Sequence, residues 1–329
     1  MMRVALVGLG SVGKGVAGMI AKKDLGIILT GIADSKSGCM DPDGLDIENI
    51  LLKKSKKGYC GDQKISASDI IKNAEYDALI EVTPTNALTG QPAIGYIKAA
   101  LLHKKHVVTS NKGPIALAYK ELRTMAEKQG VALRYEATVA GAIPVMHTLE
   151  HGLAGNEILA LYGVLNGTCN YILTRMAAEG LTYEQALLEA REMGYAEADP
   201  TYDVQGIDAA IKLVILANTI WGNDVQLNDI DRTGIDLLTP DALRLADSQG
   251  CTIRLIAEAI PKKHILRVSP RIIEKNHPLV VEGTLNALTL VTDMAKEITL
   301  IGRGAGSTET ASAIIGDLLF IKDRYVQRA

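Results

Sequence analysis

Two charged residues, Asp208 and Lys212, interrupt the run IDAAIKLVILA (207–217), which is otherwise apolar. Four residues apart on a helix, they share one face. A helix that is apolar on nearly every side belongs in an interior. A buried ion pair seldom adds net stability, so a role in a cleft explains this one better than packing does. An ordinary surface pair is the alternative. Just upstream, the segment GYAEADPTYD (194–203) carries Glu197, Asp199 and Asp203 after an expected helix end at Gly194. A substrate ammonium would suit three such carboxylates; a solvated acidic loop is the plainer reading. Lys112 follows the strand-like run HVVT (106–109). Ligands of open α/β sheets bind beyond the carboxyl ends of strands. Gly113-Pro114 is expected to turn the chain away there, and a surface lysine is the other reading of Lys112.

A second kind of chemistry is written in glycine. Gly8, Gly10 and Gly13 spell G-x-G-x-x-G directly after the β-prone run RVALV and ahead of a helical stripe. In that context the first glycine makes the tight turn, the second admits a pyrophosphate and the third lets helix pack on strand. The free N–H groups of the helix N-terminus then face the anion. The same stretch nearly completes a Walker A loop, but Gly15 stands where Ser or Thr must hold Mg²⁺. Asp34 lies 21 residues after Gly13, near the place of the acid that bonds a ribose 2′-hydroxyl. That favours NAD, whereas Ser35 and Lys36 could hold the 2′-phosphate of NADP. The alternative for Asp34 is an Asx turn at a strand end. NAD or NADP therefore stays open. His147-Thr148-Leu149-Glu150-His151 matches the zinc signature H-x-x-E-H, a short match in a chain that already has a dinucleotide motif.

The elements that must position these groups follow from periodicity. Strands are expected at 3–7, 27–33, 77–83, 106–109 and 131–136. Helices are expected after the glycine turn, at 70–73, 94–103 and 119–129. This alternation predicts a doubly wound parallel α/β sheet of the Rossmann type. The basic stretch KKSKK (53–57) and 59–61 are expected in an exposed polar excursion. Beyond residue 137 the pattern becomes α+β. Strands are expected at 158–165, 251–260, 264–269, 279–282, 285–292 and 296–301. A helix opened by a Thr182/Gln185 capping box should run to Met193, another should cover 206–221, and a last one 307–322. The expected domains are 1–136 and 137–306, with the terminal helix, 307–329, returning to the first or to a dimer interface.

Composition excludes several classes. With 35 basic and 38 acidic residues the net charge is −3, and aromatics are only 4%. Neither figure suits a nucleic-acid binder. Hydrophobic residues make up 47%, too many for disorder. No apolar run spans a membrane and no signal-peptide pattern opens the sequence, so a cytoplasmic protein with reduced cysteines is expected.

Taken together, the segments GLGSVGKG (8–15), SNKGP (110–114), YEATVAGAIP (135–144) and LNGTCNYIL (165–173) resemble homoserine dehydrogenases. GYAEADPTYDVQGIDAAIKL (194–213) and GRGAGSTETASAIIGDLL (302–319) extend the resemblance over essentially the whole chain. The resemblance implies an NAD- or NADP-dependent oxidoreductase that interconverts homoserine and aspartate 4-semialdehyde, in threonine and methionine biosynthesis. It implies a second domain that is both catalytic and dimer-forming. It places Lys112, Lys212 and Asp208 in catalysis, and Glu197, Asp203 and Gly194 at the substrate. Gly8, Gly10, Ser11, Val12, Gly13, Asp34, Lys36, Thr83, Lys112 and Gly306 fall at the cofactor. Glu136 with the backbone carbonyls of Val139, Gly141 and Ile143 matches a site for a monovalent cation, usually sodium; Ala140 and Ala142 replace glycines common there. A homodimer is implied. No aspartate kinase or ACT domain is expected, and with them no threonine feedback. Lys112 is the expected proton acceptor, because Asp208 would hold Lys212 charged. Rival readings are a related amino-acid dehydrogenase, a non-catalytic nucleotide sensor and a zinc peptidase.

Overall fold

A computed structural model describes residues 1–326. Two compact units emerge, one of Met1–Gly141 with the chain from Gly306 on, the other of Ala142–Ala305. The first begins β1 (Met2–Val7), α1 (Ser11–Lys22), β2 (Ile27–Ala33), β3 (Gly38–Met40), α2 (Ile47–Lys57) and α3 (Ala67–Asn73). It continues β4 (Ala78–Glu81), α4 (Ala93–Leu102), β5 (His106–Thr109), α5 (Lys112–Gln129) and β6 (Leu133–Arg134). The sheet order is β3-β2-β1-β4-β5-β6, parallel except for β3. Strand order reverses between β1 and β4, which is where such sheets open a ligand crevice. Both faces are covered: Val4 and Leu6 pack into one core, Ala5 and Val7 into the other.

Three expectations change here. The basic stretch is the last turns of α2, where lysines complement the helix C-terminus; its charges masked the apolar stripe Ile47, Ile50, Leu51. Gly113 and Pro114 do not turn the chain away but lie in the first turn of α5, capped by Asn111. The expected strand 131–136 shrinks to Leu133–Arg134, followed by a 3₁₀ turn at Glu136–Thr138.

The second unit carries α6 (Val145–His147), β7 (Ile158–Val164), α7 (Gly167–Glu179), α8 (Tyr183–Glu192), α9 (Thr201–Val204) and α10 (Ile207–Trp221). It ends with β8 (Asp231–Arg232), α11 (Pro240–Ser248), β9 (Cys251–Ile260), β10 (Ile265–Glu274), β11 (Leu285–Thr292) and β12 (Glu297–Arg303). Its sheet runs β12-β11-β7-β9-β10-β8 and is antiparallel except for the β8–β10 pair. The Thr182/Gln185 capping box is present at α8. The run 279–282 is not a strand: Leu279 and Val281 sit in a loop that plugs an apolar cluster with Val164, Ile256 and Ala287.

The chain then re-enters the first unit through α12 (Ser307–Ile321) and a π turn, Lys322–Val326. The last part of the expected helix, 327–329, lies outside the described residues. Ala311, Ile314 and Leu318 share a core with Val16, Ala17 and Ile20 of α1. Asp317, fully buried, accepts from Arg134 Nε at 3.1 Å and from the Glu136 backbone N–H at 3.0 Å. Removing one partner of a buried ion pair leaves an uncompensated charge. Asp317→Ala should therefore lower unfolding free energy by about 3–5 kcal/mol, read by urea denaturation; a loss under ~1 kcal/mol would show the bridge to be idle.

Candidate active site

The glycine turn closes as its spacing predicts. Gly8 sits at φ +104°, and a Cβ there would fall 2.5 Å from the Val82 carbonyl oxygen. A Cβ on Gly13 would lie 2.0 Å from the Gly8 carbonyl oxygen, so α1 can pack on the strand end only without one. Gly10 caps α1, and its Cβ position meets nothing within 4 Å. Backbone at the head of α1 is thus open to a phosphate. Ser11 and Val12 form the first helical residues, and the Ser11 carbonyl accepts from Ser307 Oγ at 2.7 Å.

Asp34 is committed to its own turn. Oδ1 accepts from the Lys36 and Ser37 backbone N–H groups, each at 2.7 Å, and Oδ2 from Lys54 Nζ at 2.6 Å. The Asx-turn reading of Asp34 therefore describes its bonding. Burial works to raise the carboxyl, but Lys54 and the turn donors outweigh it and hold it below the ordinary range. Lys54 is the residue that sequence reasoning missed at this edge; its signal, a lysine one turn from the end of an amphipathic helix, was hidden in the basic stretch.

Lys112 opens α5 at the carboxyl end of β5, and Thr83 lies just beyond β4. Gly306 precedes α12 at φ +131°. Glu136, buried, sits in the 3₁₀ turn, followed by buried Val139. Ala140 and Gly141 both take left-handed backbone, at φ +59° and +56°. Ile143 belongs to the second unit.

In that second unit the ion pair is interior. Asp208 and Lys212 are 5% and 7% exposed, in a helix buried from Asp208 to Asn218. Lys212 Nζ lies 2.7 Å from Asp208 Oδ2 and donates to the Leu165 carbonyl at 2.6 Å. The surface-pair reading falls. Asn166 completes the cluster: its Nδ2 donates to Asp203 Oδ1 at 2.6 Å and to Asp208 Oδ2 at 3.0 Å. Its Oδ1 accepts from the Cys169 N–H, capping α7. Asn166 was missed because Asn-Gly reads as a turn; the N-cap spacing to Cys169 was the available signal.

The three carboxylates of 194–203 part company. Asp203 joins the cluster, Asp199 caps the backbone of Thr201, and Glu197 stands exposed with no hydrogen bond or ion pair among the described residues. Gly194 ends α8 at φ +74°. The zinc reading finds no support. His147 and His151 have ring centroids 6.0 Å apart, and no group of three His, Cys, Asp or Glu fit for a metal occurs among the described residues.

A doubly wound parallel sheet whose first turn carries G-x-G-x-x-G is the make-up of dinucleotide-binding domains. Residues 8–136 match the family model described as "Homoserine dehydrogenase, NAD binding domain", and residues 144–319 the one described as "Homoserine dehydrogenase". The chain belongs to the homoserine dehydrogenase family. It is 46% identical to a homoserine dehydrogenase of Methanocaldococcus jannaschii, covering 97% of this chain and 98% of that one. An NAD(+)-dependent homoserine dehydrogenase of Pseudomonas canavaninivorans is 36% identical, with 97% and 96% covered. Among solved structures, the homoserine dehydrogenase of Thermoplasma acidophilum matches with a TM-score of 0.84 at 28% identity, over 98% of this chain and 99% of that one.

The Asp203 carboxyl is pushed up, chiefly by burial and further by Asp208, against the pull of Asn166 and Lys212. Above the unfolded value of about 3.9 the folded chain keeps a proton that the unfolded chain has released. Stability therefore falls as pH climbs towards the raised folded value. Asp203→Asn should remove that contribution, so wild-type and variant urea midpoints should diverge as pH rises from about 4, with wild type losing ground. Parallel midpoint curves would refute it.

Proposed function

We propose that this protein is an NAD- or NADP-dependent oxidoreductase that interconverts L-homoserine and L-aspartate 4-semialdehyde, supplying threonine and methionine synthesis. The observation that carries the reading is the buried Asp208–Lys212 pair, anchored by Leu165 and Asn166. An apolar helix has no packing use for it.

The bound nicotinamide supplies the hydride acceptor or donor. The opening at Gly10 supports a dinucleotide at the head of α1, with Gly8, Ser11, Val12 and Gly13 shaping the turn. Lys36 at the β2 edge, Thr83 beyond β4 and Gly306 ahead of α12 are further proposed cofactor contacts. Lys54 beside Asp34 makes the ribose edge other than a bare carboxylate, so both cofactors belong in the assay.

In the oxidising direction the alcohol loses a proton as the hydride leaves. Lys112 accepts that proton, and Lys212, oriented by Asp208, stabilises charge on the oxygen. In reduction the proton returns from a lysine. The exposed Glu197 receives the substrate ammonium, with Asp203 nearby in sequence and Gly194 freeing the loop. Glu136 with the carbonyls of Val139, Gly141 and Ile143 holds a monovalent cation; the buried Glu136 and the left-handed bend at 140–141 support it. A homodimer is part of the proposal, favoured by Ile272 and Ile301, both more than half exposed. The four unpaired cysteines favour a reducing cytoplasm, and no helix among the described residues is long and apolar enough to cross a membrane.

Homoserine with NAD⁺ or NADP⁺ should give reduced cofactor, followed by absorbance. Lys112→Ala and Lys212→Ala should each lower kcat by about 10²–10⁴-fold while folded. Glu197→Gln should raise the homoserine KM about tenfold or more, the loss of a charge-assisted contact, with kcat little changed. No turnover with either cofactor would sink the assignment; an unchanged KM would remove Glu197 from the substrate.

A further inference from the structure

Glu81 is a fully buried carboxylate that neither the glycine turn nor the ion pair uses. It ends β4, in register with Val7 of β1 on one side and Thr109 of β5 on the other. That is the carboxyl edge of the crevice-forming strands. Its Oε1 accepts from the Thr83 backbone N–H at 2.9 Å and from the Thr83 hydroxyl. Its Oε2 accepts from Thr109 Oγ1 at 2.9 Å. Thr109 Oγ1 in turn accepts from the Asn111 N–H at 2.9 Å, and Asn111 Nδ2 donates to the Thr83 carbonyl at 3.2 Å. The four residues close a ring that ties the end of β4 to the end of β5.

Asn111 is also the cap of α5: its Oδ1 accepts from the Gly113 N–H at 3.2 Å. Lys112 stands between these two anchored residues. We infer that Glu81 is a positioning residue for Lys112, its carboxylate locking the ring that fixes the backbone on which the lysine is carried. Burial pushes the Glu81 carboxyl up, against the pull of its Thr83, Thr109 and Asn111 donors; as a carboxylate it accepts from all three Thr83 and Thr109 donors at once, which a neutral amide cannot do without turning a donor towards a hydroxyl. A small misplacement of a reacting group is enough to lower the rate of a step that needs alignment.

The inference rests on the catalytic reading of Lys112, and a double-mutant cycle separates the two. Glu81→Gln, Lys112→Ala and the double variant are made in the full chain, checked for folding by thermal unfolding, and assayed with homoserine and oxidised cofactor at high enzyme concentration. Glu81→Gln should lower kcat about tenfold or more with the homoserine KM within about twofold. In the Lys112→Ala background the same change should lower kcat by less than about twofold, because the group being positioned is gone. Losses that multiply in the double variant would mark Glu81 as merely structural and overturn the proposal, as would a Glu81→Gln enzyme with wild-type kcat. Lys112→Ala at wild-type kcat would overturn the Lys112 reading itself, and this proposal with it. If Glu81→Gln does not fold, Thr109→Val opens the ring on its other side and carries the same cycle, with the same outcomes.

Discussion

Putting an ammonium and a carboxylate on the buried apolar helix α10 is the constraint from which the second unit is built. Desolvating both charges is expensive, and attraction between them offsets it only where further hydrogen bonds satisfy what remains. Each of those bonds dictates a piece of architecture. The Leu165 carbonyl is available to Lys212 because β7 stops at Val164. Asn166 reaches two aspartates because α7 starts one residue later and uses the same side chain as its cap. Asp203 arrives through a four-residue helix that ends just ahead of α10. Three stretches separated in sequence are thus a single polar core.

The first unit obeys a different rule, one of backbone proximity. Its strands are short and its ligand edge is made of turns, so close approach of main chain to main chain decides what fits. The glycine turn is packed against Val82 and Thr83. Thr83 is in turn held by the Glu81 carboxylate. Side chains with no visible chemistry, such as Thr109, therefore share in setting the geometry of those that have it.

Much of this was legible in the sequence because it is local. The turn-helix motif needs about ten consecutive residues, and an i,i+4 charged pair in an apolar run declares its own burial. What escaped depends on partners far along the chain. Asn166 looks like a turn residue until Asp203 and Asp208 come within reach, 37 and 42 residues on. Leu279 and Val281 have the composition of a strand, yet they find a hydrophobic cluster to fill and no neighbour to pair with. Asp34 offered two readings, and Lys54, 20 residues away, engages its second oxygen. The basic stretch was misjudged for the converse reason: its charges were visible, while the apolar positions they alternate with were sparse.

The path of the backbone has a consequence for how the molecule comes into being. A ribosome releases its product from the N-terminus, and domains generally fold as they emerge. The parallel sheet is delivered before the second unit, yet the α12 residues that share its core, up to Ile321, follow that unit. While the unit encoded between its two pieces is made, Val16, Ala17 and Ile20 of the nucleotide-binding half lack their α12 neighbours. A chain interrupted before α12 therefore exposes an apolar strip of α1 that a chain carrying α12 covers.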